Sequence, residues 1–165
     1  MTFNPQAYLG FTPHSYTEMA TFASNTSTLL TMETIRTEYT GDLRTHAMHV
    51  ASGNKLITDA PLDNHGKGET FSPTDLLATS FGSCMITVVG IAAGTHGFSI
   101  DGTKLKITKI MAANPRRIGE LVVEMDFPPT GYSDKEKEII RKTAITCPVA
   151  LSLHPDVKQT LIFNF

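Results

Sequence analysis

The 165-residue chain is short of charge, has two cysteines, and lacks long apolar or single-sign runs. Each shortage narrows what it can be. Charged residues make up 18% of it, below the roughly 25% usual for soluble proteins, so part of its surface is expected to be covered by another copy. Net charge is −2 with no run of either sign, which leaves no electrostatic footprint for nucleic acid or an acidic membrane surface. The first Lys or Arg is Arg36, and no window reaches about 18 consecutive apolar residues. Neither a secretory signal nor a membrane span is therefore expected, and the chain reads as soluble and cytoplasmic. Cys84 and Cys147 are too few for a disulfide scaffold and are expected as thiols unless redox active. Cys-x-x-Cys and His-x-x-Glu-His spacings are missing, and His46 and His49, three apart on an expected strand, point to opposite faces. Gly66-Lys67-Gly68 lacks the rest of a phosphate loop, so no metal and no cofactor is expected.

What is present fits one domain, read as residues 34–165, preceded by an arm over residues 1–33 with a short helix around residues 14–23 and Met32 as an alternative start. Short β-rich segments at 34–40, 43–51 and 55–58, with turns at Gly41-Asp42 and Ser52-Gly53-Asn54, predict an antiparallel meander. Ser72-Pro73-Thr74-Asp75 supplies an N-cap, a proline at the first helical position and an acid in the first turn of a helix running to about Ala93. That helix contains no Lys, Arg or Glu and should be buried on most faces, more than one small sheet can cover. Strands are expected at 104–112, 120–127 and 157–163. A capping box at Ser133 to Glu136 opens a charged helix, and Pro148 opens a short one after Cys147. Strands and helices in this order predict an α+β fold with antiparallel sheet.

Three residues carry potential chemistry. Cys84 sits mid-helix, where a free cysteine ordinarily acts as a small core hydrophobe. Cys147 precedes a proline-initiated helix, where unsatisfied amides and the dipole lower a thiol pKa, so residue physics alone makes it the more acidic of the two. Arg44, at the start of a strand, reads by itself as a solvated strand-end residue. Sequence separation does not make the cysteines a pair, although both lie on helices that must pack beside one sheet.

The stretch Ser72-Pro73-Thr74-Asp75-Leu76-Leu77-Ala78-Thr79-Ser80-Phe81-Gly82-Ser83-Cys84, with Cys147-Pro148-Val149-Ala150 downstream, resembles the OsmC/Ohr family of osmotically induced and organic hydroperoxide resistance proteins. The resemblance spans about residues 34–165. It implies an intertwined two-sheet homodimer with the apolar helix packed between sheets of both chains. It also implies thiol-dependent reduction of organic hydroperoxides at sites near the dimer interface, with Cys84 attacking, Cys147 resolving and an external dithiol as reductant. Gly41-Asp42-Leu43-Arg44 looks like the family segment that supplies an arginine, making Arg44 the third catalytic candidate. One position departs from the pattern: where organic hydroperoxide resistance members carry a Glu that orients the arginine, ten residues before the first cysteine, this chain has Thr74. Asp75 adjoins it and Glu69 lies in the preceding loop, neither at the family position.

A thiolate is the attacking species, and burial in an apolar helix raises a thiol pKa, so a fixed cation is required; Arg44 is the expected one. Apolar neighbours such as Phe81, Met85 and Val88 favour an organic peroxide. Two other readings stand beside this one: a non-catalytic dimer binding a small apolar ligand, and a thiol redox sensor.

Overall fold

The computed structural model describes residues 33–165. The expected arm over residues 1–33, its short helix included, lies outside the described residues except for Glu33. Two compact units are present, one of residues 33–38 and 47–56 and the other of 39–46 and 57–165.

Strands β1 (Ile35–Gly41), β2 (Arg44–His49) and β3 (Lys55–Asp59) form one sheet in that order. The first turn is centred one residue later than the sequence suggests. Asp42 and Leu43 both take positive φ (51° and 61°), the combination that matches the twist of a tight hairpin. Arg44 is thereby the first residue of β2. A loop with a 3₁₀ turn at Leu62–Asn64 follows β3. Gly66 in this loop is obligatory, because a Cβ there would lie 1.7 Å from the Ala60 carbonyl oxygen.

Helix α1 (Pro73–His96) starts where the capping signal places it: Ser72 Oγ accepts from the Asp75 amide at 3.2 Å and Asp75 Oδ2 accepts from the Ser72 amide at 2.8 Å. It runs three residues beyond the expected end and stops at Gly97, which adopts the left-handed conformation (φ 78°) that ends many helices. Ala78, Phe81, Gly82, Met85, Val89 and Ala93 form its buried face. Burial on most faces is not met within one chain. Leu77, Ser80, Ser83, Thr87 and Ile91, uncharged and exposed, line another face, because a three-stranded sheet and two helices cover only one side. By length and composition α1 would span a bilayer; here its buried face is a core face.

The second sheet orders β4 (Lys104–Ala113), β5 (Arg116–Asp126) and β6 (Lys158–Asn164). β4 and β5 pair antiparallel as a hairpin, while β6 lies parallel to β5, with Val123 opposite Leu161. Helices α2 (Asp134–Ala144) and α3 (Pro148–Ser152) intervene between β5 and β6, and such a crossover returns the chain in the same direction. The architecture is the expected α+β one, with a mixed second sheet. Leu121, Val123 and Met125 of β5, Phe81, Met85 and Val89 of α1 and Ile140 of α2 are fully buried and make its core. Phe165 stacks on Phe127 at 4.9 Å between centroids, and the Arg141 guanidinium lies over the Phe165 ring at 5.0 Å from its centroid.

Candidate functional site

The two cysteines are brought together by helix packing. Cys84 projects from the middle of α1 beside the buried face and is half-buried, a position set by the 3.6-residue repeat that buries Phe81 and Met85 around it. Gly82, two residues earlier, lets the helix lie close on β4; a Cβ there would meet Ile107 Cδ1 at 2.3 Å. Cys147 is fully buried at the N-cap of α3, with extended backbone (φ −64°, ψ 136°) as the following proline demands. Its sulfur accepts from the Ala150 amide at 3.2 Å, and the Cys84 side chain is close enough to act on it. Both are free thiols.

Cys147 corrects the sequence expectation. Burial pushes its thiol pKa up; the Ala150 amide pulls the other way, and Cys84 adds to the rise. The helix N-terminus does act in the expected direction, but removing the thiolate from water outweighs one amide hydrogen bond and a single-turn helix.

Arg44 is built into a different cluster. Its Nη2 donates to Asp59 Oδ2 at 3.1 Å and to Glu69 Oε2. Asp59, the last residue of β3, is fully buried, and its Oδ2 also accepts from the Glu69 amide at 3.0 Å. One carboxylate oxygen thus ties the strand end, the arginine and the loop. The Glu69 amide is the largest influence holding the Asp59 carboxyl below its usual range; burial opposes it and Arg44 assists. Glu69 and Asp59 in turn raise Arg44 above the ordinary arginine range. Arg44 Nε and Asp59 Oδ1 are buried with no hydrogen-bond partner among the described residues.

Within the described chain Arg44 therefore pairs with two carboxylates and with neither cysteine, so the expected Arg44 to Cys84 contact is not made inside one protomer. Glu69, set aside on sequence position, is a direct partner of the arginine.

Thr74, which stands where the family glutamate is expected, serves another cation. Lys109 Nζ donates to Thr74 Oγ1 and Asp75 Oδ1, both at 2.7 Å, and to Ser72 Oγ at 3.3 Å. Burial would raise the Asp75 carboxyl, but Lys109 and Ser72 together hold it below its usual range. Lys109, Asp59 and this use of Thr74 were not found from the sequence. A signal for the first was there: in Leu105, Ile107, Lys109 of β4 the lysine falls in the inward register of two apolar residues. An open cavity of about 830 Å³ lies against this cluster, lined by Glu69, Phe71, Asp75, Ala78, Ile107 and Lys109 among others, and by neither cysteine. No cluster of three or more His, Cys, Asp or Glu suited to a metal ion occurs among the described residues.

Comparison with known proteins gives a consistent assignment. A family profile described as OsmC-like protein matches residues 66–161. A crystal structure from Psychrobacter arcticus 273-4, given the working description of an osmotic stress induced and detoxification response protein, is 52% identical with a TM-score of 0.77, covering 81% of this chain and 96% of that one. An organic hydroperoxide resistance protein OsmC from Legionella pneumophila is 19% identical with a TM-score of 0.62, covering 79% and 95%. The organic hydroperoxide resistance protein OhrB of Bacillus subtilis is 16% identical with a TM-score of 0.58, covering 82% and 99%; at these identities the last two show likeness of fold alone. No curated protein sequence matches the chain significantly.

Proposed function

The chain belongs to the OsmC-like family, and from that premise we propose that it is a thiol-dependent peroxidase that reduces organic hydroperoxides to alcohols. The observation that carries this reading is the proximity of two free thiols, one mid-helix on α1 and one at the N-cap of α3. The Cys84 thiolate attacks the terminal oxygen of R–O–O–H. A sulfur–oxygen bond forms, the O–O bond breaks, and its electron pair leaves on the alkoxide, which takes a proton to give the alcohol. The resulting Cys84 sulfenic acid condenses with the Cys147 thiol to a disulfide and water. An external dithiol reduces that disulfide by exchange, restoring both thiols. No cofactor or metal takes part.

Attack falls to Cys84 because Cys147, fully buried and with its thiol pKa pushed up, is suited to the resolving step. A thiolate among apolar groups needs a nearby fixed cation, which lowers a thiol pKa by about 1–3 units. In this reading the chain acts as a homodimer, and the Arg44 guanidinium of one copy serves the thiol pair of the other, stabilising the thiolate and then the departing oxygen. The uncharged exposed face of α1 and the exposed Leu151 of α3 support both the second copy and an apolar substrate tail.

Turnover of cumene hydroperoxide with a dithiol, measured beside Cys84→Ser and beside hydrogen peroxide, tests the proposal. The expected outcome is steady consumption that is abolished in Cys84→Ser and is at least about tenfold faster with the organic peroxide, since burial of a tail contributes about 25 cal/mol per Å². Turnover that survives Cys84→Ser sinks the mechanism.

A further inference from the structure

We propose that Asp59 is the residue that positions the Arg44 guanidinium in this protein, in place of a carboxylate on the cysteine helix, with the Glu69 side chain as a secondary contact on the solvent side. The proposal deepens the peroxidase reading and rests on Arg44 acting there.

Three observations support it. The helix position where such an acid is expected carries Thr74, whose hydroxyl is spent on Lys109 at 2.7 Å, and the adjacent Asp75 is spent on the same lysine. The cysteine helix therefore has no carboxylate left for the arginine. The two acids that do reach Arg44 differ in their freedom. Asp59 is fully buried at the end of β3, pinned through Oδ2 by the Glu69 amide and held in its charged form, whereas the Glu69 side chain is 60% exposed. A solvent-exposed carboxylate fixes a long side chain poorly, because water screens the attraction and both partners keep rotamer freedom; a buried one in a single conformation fixes it well. Finally, the contact leaves the arginine fork incomplete. Nη2 engages Oδ2, while Nε and Asp59 Oδ1 stay buried with no partner among the described residues. A bidentate arginine–carboxylate pair uses both prongs of the fork, whereas here a single nitrogen, Nη2, serves both acids. Asp59 anchors one edge of the guanidinium and does not consume it.

The experiment uses full-length protein with Cys147→Ser, so that Cys84 is the single thiol. Its readouts are the pH midpoint of iodoacetamide alkylation and the rate of a single oxidation by cumene hydroperoxide. Arg44→Ala sets the scale, with the midpoint expected to rise by about one unit. For Asp59→Asn, a rise of about half a unit or more with a rate loss of about tenfold is expected, and the double variant Arg44→Ala/Asp59→Asn is expected to be no worse than Arg44→Ala alone. The sign discriminates: loss of a negative charge beside the arginine would by itself move the midpoint down, so only a lost position moves it up. A downward or absent shift, or additive losses in the double variant, overturns the proposal. Glu69→Gln, on an exposed side chain, decides the matter even where Asp59→Asn does not fold. A rate within about threefold of the parent supports Asp59 as the anchor, and a loss as large as that of Arg44→Ala overturns it. Should Arg44→Ala itself change neither readout, the peroxidase role of Arg44 fails first, and the Asp59 assignment falls with it for that separate reason.

Discussion

At the scale of single residues, environment decides chemistry more than residue type does. Cys147 and Cys84 are the same thiol in two settings, one fully buried at a helix N-cap and the other half-buried beside it. Because burial is the largest influence on Cys147 and pushes its pKa up, in a Cys84→Ser protein this thiol is expected to react with iodoacetamide at least about tenfold more slowly at pH 8 than a free cysteine, whose pKa lies near 8.5. The sign also carries to stability. A thiol whose folded pKa exceeds its unfolded value favours the fold below the unfolded pKa and loses that contribution as pH rises through the folded one. Alkylation of Cys147 as fast as a free thiol would show that the helix N-terminus wins after all. The three candidate residues drew notice in the sequence through local features, a proline after Cys147, a turn before Arg44 and an uncharged helix around Cys84, while their roles came from the family resemblance. Asp59 and Glu69 carry no such mark. Their role depends on a loop that folds back so that an amide ten positions along reaches a strand-end carboxylate, and no local pattern encodes that.

At the scale of elements, capping chemistry made the helix starts readable, since Ser72 with Asp75 and Ser133 with Glu136 each satisfy amides that a helix leaves open. The parallel pairing of β6 was less readable, because strand direction follows from the crossover and leaves the strand's own composition unchanged. A polar tie joins β4 to the start of the cysteine helix beside its apolar packing, with Lys109 reaching three oxygens of Ser72, Thr74 and Asp75. The Lys109 side chain is 17% exposed and Asp75 43%, so solvent weakens the pair. With that discount, Lys109→Met is expected to cost about 1–2 kcal/mol in urea unfolding at pH 7. The pH dependence follows from Asp75, whose folded pKa lies below its unfolded value. Its contribution is present above about pH 4 and disappears as pH falls through the folded pKa. The gap between parent and Lys109→Met is therefore expected to narrow between pH 5 and about pH 3, and a gap unchanged by acid would assign the loss to packing of the lysine stem instead.

At the scale of the whole molecule, the chain leaves bare the apolar surface that the proposed homodimer would cover. In the most apolar 18-residue window of α1 only 33% is buried, and Ile91 is 66% and Leu151 75% exposed. Together with 18% charged residues, this describes surface that monomers seldom leave to water. The same inference reaches the chemistry, because Arg44 and the thiol pair do not meet within one protomer, and a second copy is the economical way to bring a guanidinium to the sulfur. Sedimentation is expected to give about twice the 18.0 kDa chain mass. Ile91→Asp places a charge at the C-terminal end of the bare face of α1, two helical turns beyond Cys84, and is expected to shift the protein toward monomer through the cost of burying an unpaired carboxylate. Hydroperoxide turnover is then expected to fall in proportion to the dimer remaining and to recover on raising protein concentration, a dependence that damage to a self-contained site would not produce. A parent protein that sediments as a monomer and still turns over would require Arg44 to reach Cys84 within one chain, against the carboxylate pair that holds it in this structure.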